Sequence, residues 1–378
     1  MKIAEKLEVF HDGRPVGIMA PFEKYRTAFE YLPEWEKTGF SLNPFSLPLD
    51  TGLKISKRDP FEGVFGIFAD SLPDGWGKLL VDRMLRKMGE VPDEISAFAR
   101  LSIVGDSGMG ALEYKPVFKQ VTDATTKDLD RLSEECRKIL TSKESGDLDV
   151  LFAMGGSSGG ARPKVMMDID GESWIIKFPS AADPDSIGLM EYEYNVCAKK
   201  CGIDVPEVRL FPSSKGPGYF GSKRFDRIKN TDGIKKLHMA SASALLEVSH
   251  RVPALDYTSL MALTWQLTKR EEEMYKMFRL MCFNVFSHNR DDHSNNFSFL
   301  CDDGIWRVSP AYDLTYSDSV GGEHATTIDG EGREPSLEDI LRVAKKSGIK
   351  ESEARRIAEE IQDVVSEELA GWIYCLQD

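Results

Sequence analysis

A polar run near residue 145 and a turn to helical period from Ala240 onward divide the chain into three stretches. Over residues 1–145 the apolar runs are short and often alternate, which favours strands. Val9-Phe10-His11 and Pro15-Val16-Gly17 flank Asp12-Gly13, a dipeptide suited to a two-residue hairpin turn. Residues 40–49 and 64–68 read as further strands. Pro73-Asp74-Gly75-Trp76-Gly77 opens an expected helix over 78–88, with Leu79, Leu80, Val81, Met84 and Leu85 as apolar positions. Another helix is expected over 126–140. The polar run 141–149 reads as a linker that closes this N-terminal module.

Residues 146–235 predict a small mixed unit. Strands are expected at 151–154, 165–169, 174–178, 205–211 and 219–225, with a helix over 186–201 stopped by Gly202. Over 236–378 the period becomes helical: 240–248, 259–267 and 270–286, the last with Thr268 and Glu271 spaced as a capping box. Met274, Met277, Phe278, Met281 and Val285 recur at helical spacing. Leu280, Phe283 and Phe286 make the end of that helix apolar all round, so it is expected to be buried. A hairpin is expected from 297–300 and 306–308 around Asp302-Asp303-Gly304. Helices over 337–347, between Ser336 and Gly348, and over 352–369 complete the pattern.

Composition narrows the setting. With 378 residues the chain has room for two or three domains. No run approaches the about 20 apolar residues of a membrane span, and Met1–Lys6 lack a signal-peptide core. Six cysteines occur without a C-x-x-C, which favours reduced thiols in a cytoplasmic protein. A net charge of −14 argues against direct grip on a nucleic-acid backbone, while leaving room for a basic partner.

Candidate chemistry is spread over four segments. Gly155-Gly156-Ser157-Ser158-Gly159-Gly160 is either a flexible turn or a loop whose amides cradle phosphates; neither familiar nucleotide-loop spacing fits it. Lys177 stands in an apolar strand and needs an anion or a path to solvent. Glu191 and Glu193 in the following helix could each face it. Asp291 and Asn296 have the spacing of the protein-kinase catalytic loop, and Asp313 follows Asp291 by 22 residues, where a magnesium-binding aspartate would stand.

Taken together, Gly159-Gly160-Ala161-Arg162-Pro163-Lys164, Ile175-Ile176-Lys177-Phe178-Pro179, Arg224-Phe225-Asp226-Arg227, Asp291-Asp292-His293-Ser294-Asn295-Asn296-Phe297 and Ala311-Tyr312-Asp313-Leu314 resemble the HipA-type toxin kinases of bacterial toxin–antitoxin systems. Leu72-Pro73-Asp74-Gly75-Trp76-Gly77 resembles the N-terminal part of that family. The resemblance implies an α+β, two-lobed kinase-like fold: an N-terminal β-rich subdomain over 1–145, a nucleotide-binding lobe over 146–235 and a helical lobe over 236–378. It implies a serine/threonine protein kinase using ATP and Mg2+. Asp291 would be catalytic, with Asn296 and Asp313 on the metal. Lys177, Ser157, Ser158, Gly159, Gly160 and Glu193 (or Glu191) would serve the phosphates, and Lys223 and Phe225 the adenine. Ser157, or Ser158, would be the self-inactivating autophosphorylation site. A small basic HipB-like DNA-binding antitoxin and a translation-related protein substrate are the implied partners, with DNA reached only through the antitoxin.

Departures from ordinary kinases are Asn289 in place of the loop histidine, Tyr312-Asp313-Leu314 in place of D-F-G, and the lack of A-P-E. Other readings are a small-molecule kinase, a metal-dependent hydrolase built on His288, Asp291, Asp292, His293 and Asp313, and a kinase-like fold kept only for binding.

Overall fold

Asp12 and Gly13 both take positive φ, 47° and 76°, and turn the chain between strands Leu7–His11 and Arg14–Phe22 as expected. The computed structural model describes residues 4–117, 126–143, 145–231, 233–318 and 321–375; Met1–Ile3 lie outside them. The hairpin belongs to a five-stranded sheet ordered Lys54–Ile55, Arg26–Tyr31, Arg14–Phe22, Leu7–His11, Leu112–Lys115.

The two further strands expected here do not form. Residues 40–49 make an irregular loop that buries Phe40, Leu42 and Leu47. Asn43 replaces the missing ladder: its side-chain oxygen accepts from the Phe45 amide at 2.9 Å, and its nitrogen donates to Ala244 O at 3.0 Å. Gly66–Ala69 is a short helix, with Gly66 pressed against the Ala244 backbone where a Cβ would collide.

A second sheet is ordered Lys164–Ile169, Glu172–Lys177, Tyr219–Lys223, Val208–Phe211. Helices Gly75–Lys87, Leu129–Leu140 and Leu148–Gly155 pack with it. Trp76, Leu80, Leu132, Ile139, Leu151, Val165, Ile176 and Phe178 form their common core. Residues 151–154, expected as a strand, therefore lie in a helix. A four-residue apolar run fits either state, and the neighbours decide.

Helices Tyr257–Thr268, Glu271–Phe286, Leu337–Lys346 and Glu351–Glu368 build the other lobe, and Glu271–Phe286 is buried as expected. The capping box does not form. Thr268 ends the preceding helix and its hydroxyl donates to Thr264 O at 2.7 Å, so Arg270 becomes the N-cap. Ser336 and Asp339 make the capping box of Leu337–Lys346. The hairpin Ser298–Asp302 and Ile305–Val308 pairs with His238–Ser241. Cys136, Cys197, Cys201, Cys282 and Cys301 are free and buried. Among the described residues, no helix is long and apolar enough to cross a membrane.

The first sheet and the helical lobe share one core, from Phe29, Trp35 and Phe68 to Leu245, Met281 and Phe283. A buried ion cluster ties the same module to the second sheet. Asp226, fully buried, receives Arg224 and Arg227 and accepts from the Gly110 amide at 2.7 Å; Arg224 also donates to Gly108 O at 2.9 Å. Asp226→Ala would leave two buried guanidinium groups uncompensated, so urea denaturation should show a loss of roughly 3–5 kcal/mol. A loss below about 1 kcal/mol would show that the cluster is not needed.

Candidate active site

Lys177 ends the strand Glu172–Lys177 with its side chain only 11% exposed. Burial alone would strip its charge. Its ammonium instead donates to Glu191 Oε1 and Asp313 Oδ1, and these anions outweigh desolvation and raise its pKa. Glu191 is buried in the helix Ile187–Lys200. This corrects the expectation for Glu193, which accepts from Trp372 Nε1 instead. Two residues apart on a helix means about 200° of rotation, so only one glutamate can face Lys177.

Two further cations join the cleft, and sequence reasoning had not singled them out as site residues. Lys164 is the cross-strand partner of Lys177 and is buried. Desolvation, with Lys177 adding to it against Asp313, pulls its pKa down to about 8. Arg162 bonds Asp183 at 3.2 Å and lies 4.0 Å from Glu191. Their signal in the sequence was the basic end of the glycine-rich segment, but only strand register sets Lys164 opposite Lys177.

Asp313 takes φ of 56°, a left-handed conformation that aspartate tolerates better than most residues. Burial would raise its pKa; Lys177 and Lys164 overcome that and hold it well below the usual carboxylate range. The adjacent Tyr312 hydroxyl donates to Asn295 O at 2.5 Å, joining this segment to the loop after Glu271–Phe286.

That loop divides two neighbouring aspartates. Asp292 is buried and accepts from Tyr257 Oη and His324 Nδ1, both at 2.9 Å, and from the Thr326 amide at 3.1 Å. Asn289 is anchored in the same interior, donating to Asn284 Oδ1 at 3.0 Å. Asp291 faces outward with its side chain 61% exposed. Desolvation by the cleft, then Asp313 and Asp292, raise its pKa against the pull of His293. Asn296 Nδ2 donates to Asp291 O at 2.7 Å, which leaves the amide oxygen of Asn296 available.

In the glycine-rich loop, Gly159 and Gly160 are exposed, and Gly160 needs its φ of 81°. Ser158 is buried and donates to Gly155 O at 2.6 Å. Ser157 Oγ donates to Ser107 O at 2.9 Å. Lys223 is bonded within its own sheet region: its ammonium pairs with Glu172, and its amide donates to Glu207 O at 2.9 Å. The strand Tyr219–Lys223, expected at an edge, is interior, so its backbone is already paired. Phe225 is half-buried, 5.8 Å from the Tyr312 ring.

The hydrolase set does not assemble. Asp292 is committed to the interior and His288 stacks on Tyr316. Among the described residues, no group of three or more His, Cys, Asp or Glu side chains is placed to hold a metal.

A small sheet over a helical lobe, with Lys177, Glu191 and Asp313 meeting between them and the Asp–Asn loop tied to the Asp313 segment through Tyr312, defines a two-lobed kinase-like α+β protein. The family descriptions "HipA N-terminal domain" and "HipA-like C-terminal domain" match residues 7–115 and 156–369, and the chain belongs to the HipA family. A curated relative from Sinorhizobium fredii, named "Putative kinase Y4mE", is 27% identical over 345 residues, covering 82% of this chain and 76% of the relative. The HipA of Shewanella oneidensis, solved as a complex of HipA, HipB and operator DNA, has the same fold. Its TM-score is 0.71 at 18% identity, over 95% of this chain and 90% of that one.

The two aspartates should separate on substitution. Asp291→Asn should melt within about a degree of wild type, because an exposed change perturbs little. Asp292→Ala should lose roughly 3 kcal/mol or more in urea, since it orphans buried donors. Equal stabilities would refute this division.

Proposed function

We propose that this chain is an ATP- and magnesium-dependent serine/threonine protein kinase, acting as the toxin of a toxin–antitoxin pair. The observation that carries the reading is Lys177 held between Glu191 and Asp313, with Asp291 facing outward 3.9 Å from His293 and near enough to Asp313 to feel its charge. Arg162, Lys164 and Lys177 supply positive charge for a polyphosphate, and Gly159-Gly160 lets backbone approach it. Asn296 Oδ1 and the Asp313 carboxylate are hard oxygen donors that suit magnesium, which takes its other ligands from phosphates and water. Bound there, the ion would offset charge on the phosphates. Asp291 would orient the substrate hydroxyl and take its proton as oxygen bonds to the γ-phosphorus and the bond to the ADP oxygen breaks. The backbone around Lys223 to Phe225 would meet the adenine, and the half-buried Phe225 ring beside Tyr312 supports Phe225 as its neighbour.

Ser157 is the better autophosphorylation site, because Ser158 is buried. A phosphate on Ser157 adds about −1.5 to −2 charge where ATP phosphates would bind, which switches the enzyme off. The Shewanella relative assembles with HipB and operator DNA; a net charge of −14 suits an equivalent basic antitoxin here.

Incubated with ATP and magnesium, the wild type should gain the mass of one phosphate on Ser157. Asp291→Asn and Ser157→Ala should gain none. Unchanged wild-type mass would count decisively against the reading. Lys164 supplies a pH test. It loses its charge as pH rises through about 8, so ATP affinity by calorimetry should fall over that range, with proton uptake on binding. Lys164→Gln should bind more weakly and flatten the profile; a flat wild-type profile would remove Lys164 from the phosphate site.

A further inference from the structure

One turn of the N-terminal module touches both sides of the cleft. The Trp76 amide donates to Gly160 O at 2.8 Å and Trp76 Nε1 to Lys164 O at 3.0 Å. A Cβ on Gly75 would come 2.3 Å from Gly160 O, and one on Gly77 2.1 Å from Ser158 O, so both glycines are needed for this approach. The glycine-rich loop therefore lies directly on residues 74–77.

Asp74 stands at the N-cap of Gly75–Lys87, but its side chain makes no capping bond there. It reaches across to the helical lobe instead. Its Oδ2 lies 3.0 Å from His250 Nε2 and its Oδ1 3.1 Å from Arg251. A carboxylate accepts, so His250 must present N–H at Nε2. The His250 ring packs against His293, with centroids 5.5 Å apart. His293 Nδ1 accepts from the Asn295 amide at 3.3 Å. That bond keeps the hydrogen of the neutral ring on Nε2, and Nε2 faces Asp291 Oδ1 at 3.9 Å. The last gap is longer than a hydrogen bond, a spacing common in sites without substrate.

We infer that Asp74 and His250 are positioning residues: through His293 they fix the Asp291 carboxylate relative to the glycine-rich loop. The N-terminal module then sets the reach between base and phosphate, and small errors in that reach are costly. The role of Asp291 rests on the phosphoryl-transfer reading above; the array of Asp74, His250 and His293 does not.

The test uses the full chain with Asp74→Ala, His250→Ala, the double variant, and Asp74→Asn, which keeps an acceptor oxygen. Two readouts are taken: steady-state phosphoryl transfer, and imidazole nitrogen NMR of His293. His250→Ala should lower kcat by roughly ten- to a hundred-fold with a smaller change in KM for ATP. The double variant should be no worse than the worse single one, and Asp74→Asn should recover most of the rate. Melting temperatures should stay near wild type. The His293 nitrogen signals should report Nε2–H in wild type and shift in Asp74→Ala. Unmoved His293 signals, or additive losses in the double variant, would overturn the inference. Should wild type transfer no phosphate, the kinase reading falls by itself, and the imidazole spectra still decide whether Asp74 holds His293.

Discussion

A buried lysine is stable as a cation only if anions come to it, and Lys177 has two, from segments far apart in the chain. Satisfying it fixes the helix that carries Glu191 against the small sheet. It also brings the segment of Asp313 down from the helical lobe. The two lobes are thus joined at their interface by charge as well as by apolar contact. The cleft holds Arg162 and Lys164 as well, and Lys164 is already depressed toward neutrality. On the proposed reading, a polyphosphate would meet cationic side chains already placed in the cleft.

The N-terminal module is part of this arrangement rather than an appendage. Its sheet shares a core with the helical lobe, and its helix Gly75–Lys87 shares another with the small sheet. Asp226 closes a third connection, through Gly110, just after the strand Tyr219–Lys223. A domain lying on both lobes can influence the distance between them without contributing a reacting group.

The paired aspartates show how one local sequence serves two demands. Asp292 points into a polar interior of Tyr257, Asn284, Asn289 and His324 and keeps the loop in shape. Asp291 is left outward, where a carboxylate can meet a hydroxyl. A rigid buried helix and a buried anchor are what allow an exposed loop to hold its geometry.

The sequence alone determined whatever depends on local period and short spacing. The Asp12-Gly13 hairpin, the buried helix expected over 270–286, the glycine-rich loop before a strand lysine, and the order of Lys177, Asp291, Asn296 and Asp313 were all legible there. Only the tertiary structure decided that Glu191 and not Glu193 faces Lys177. It also decided that Tyr219–Lys223 lies inside its sheet, that 151–154 is helical, and that Lys164 stands beside Lys177. Periodicity states which face of an element is apolar, because that follows from bond geometry repeated residue by residue. Which element covers that face, and in what register, depends on contacts between distant segments, which no window of neighbouring residues contains.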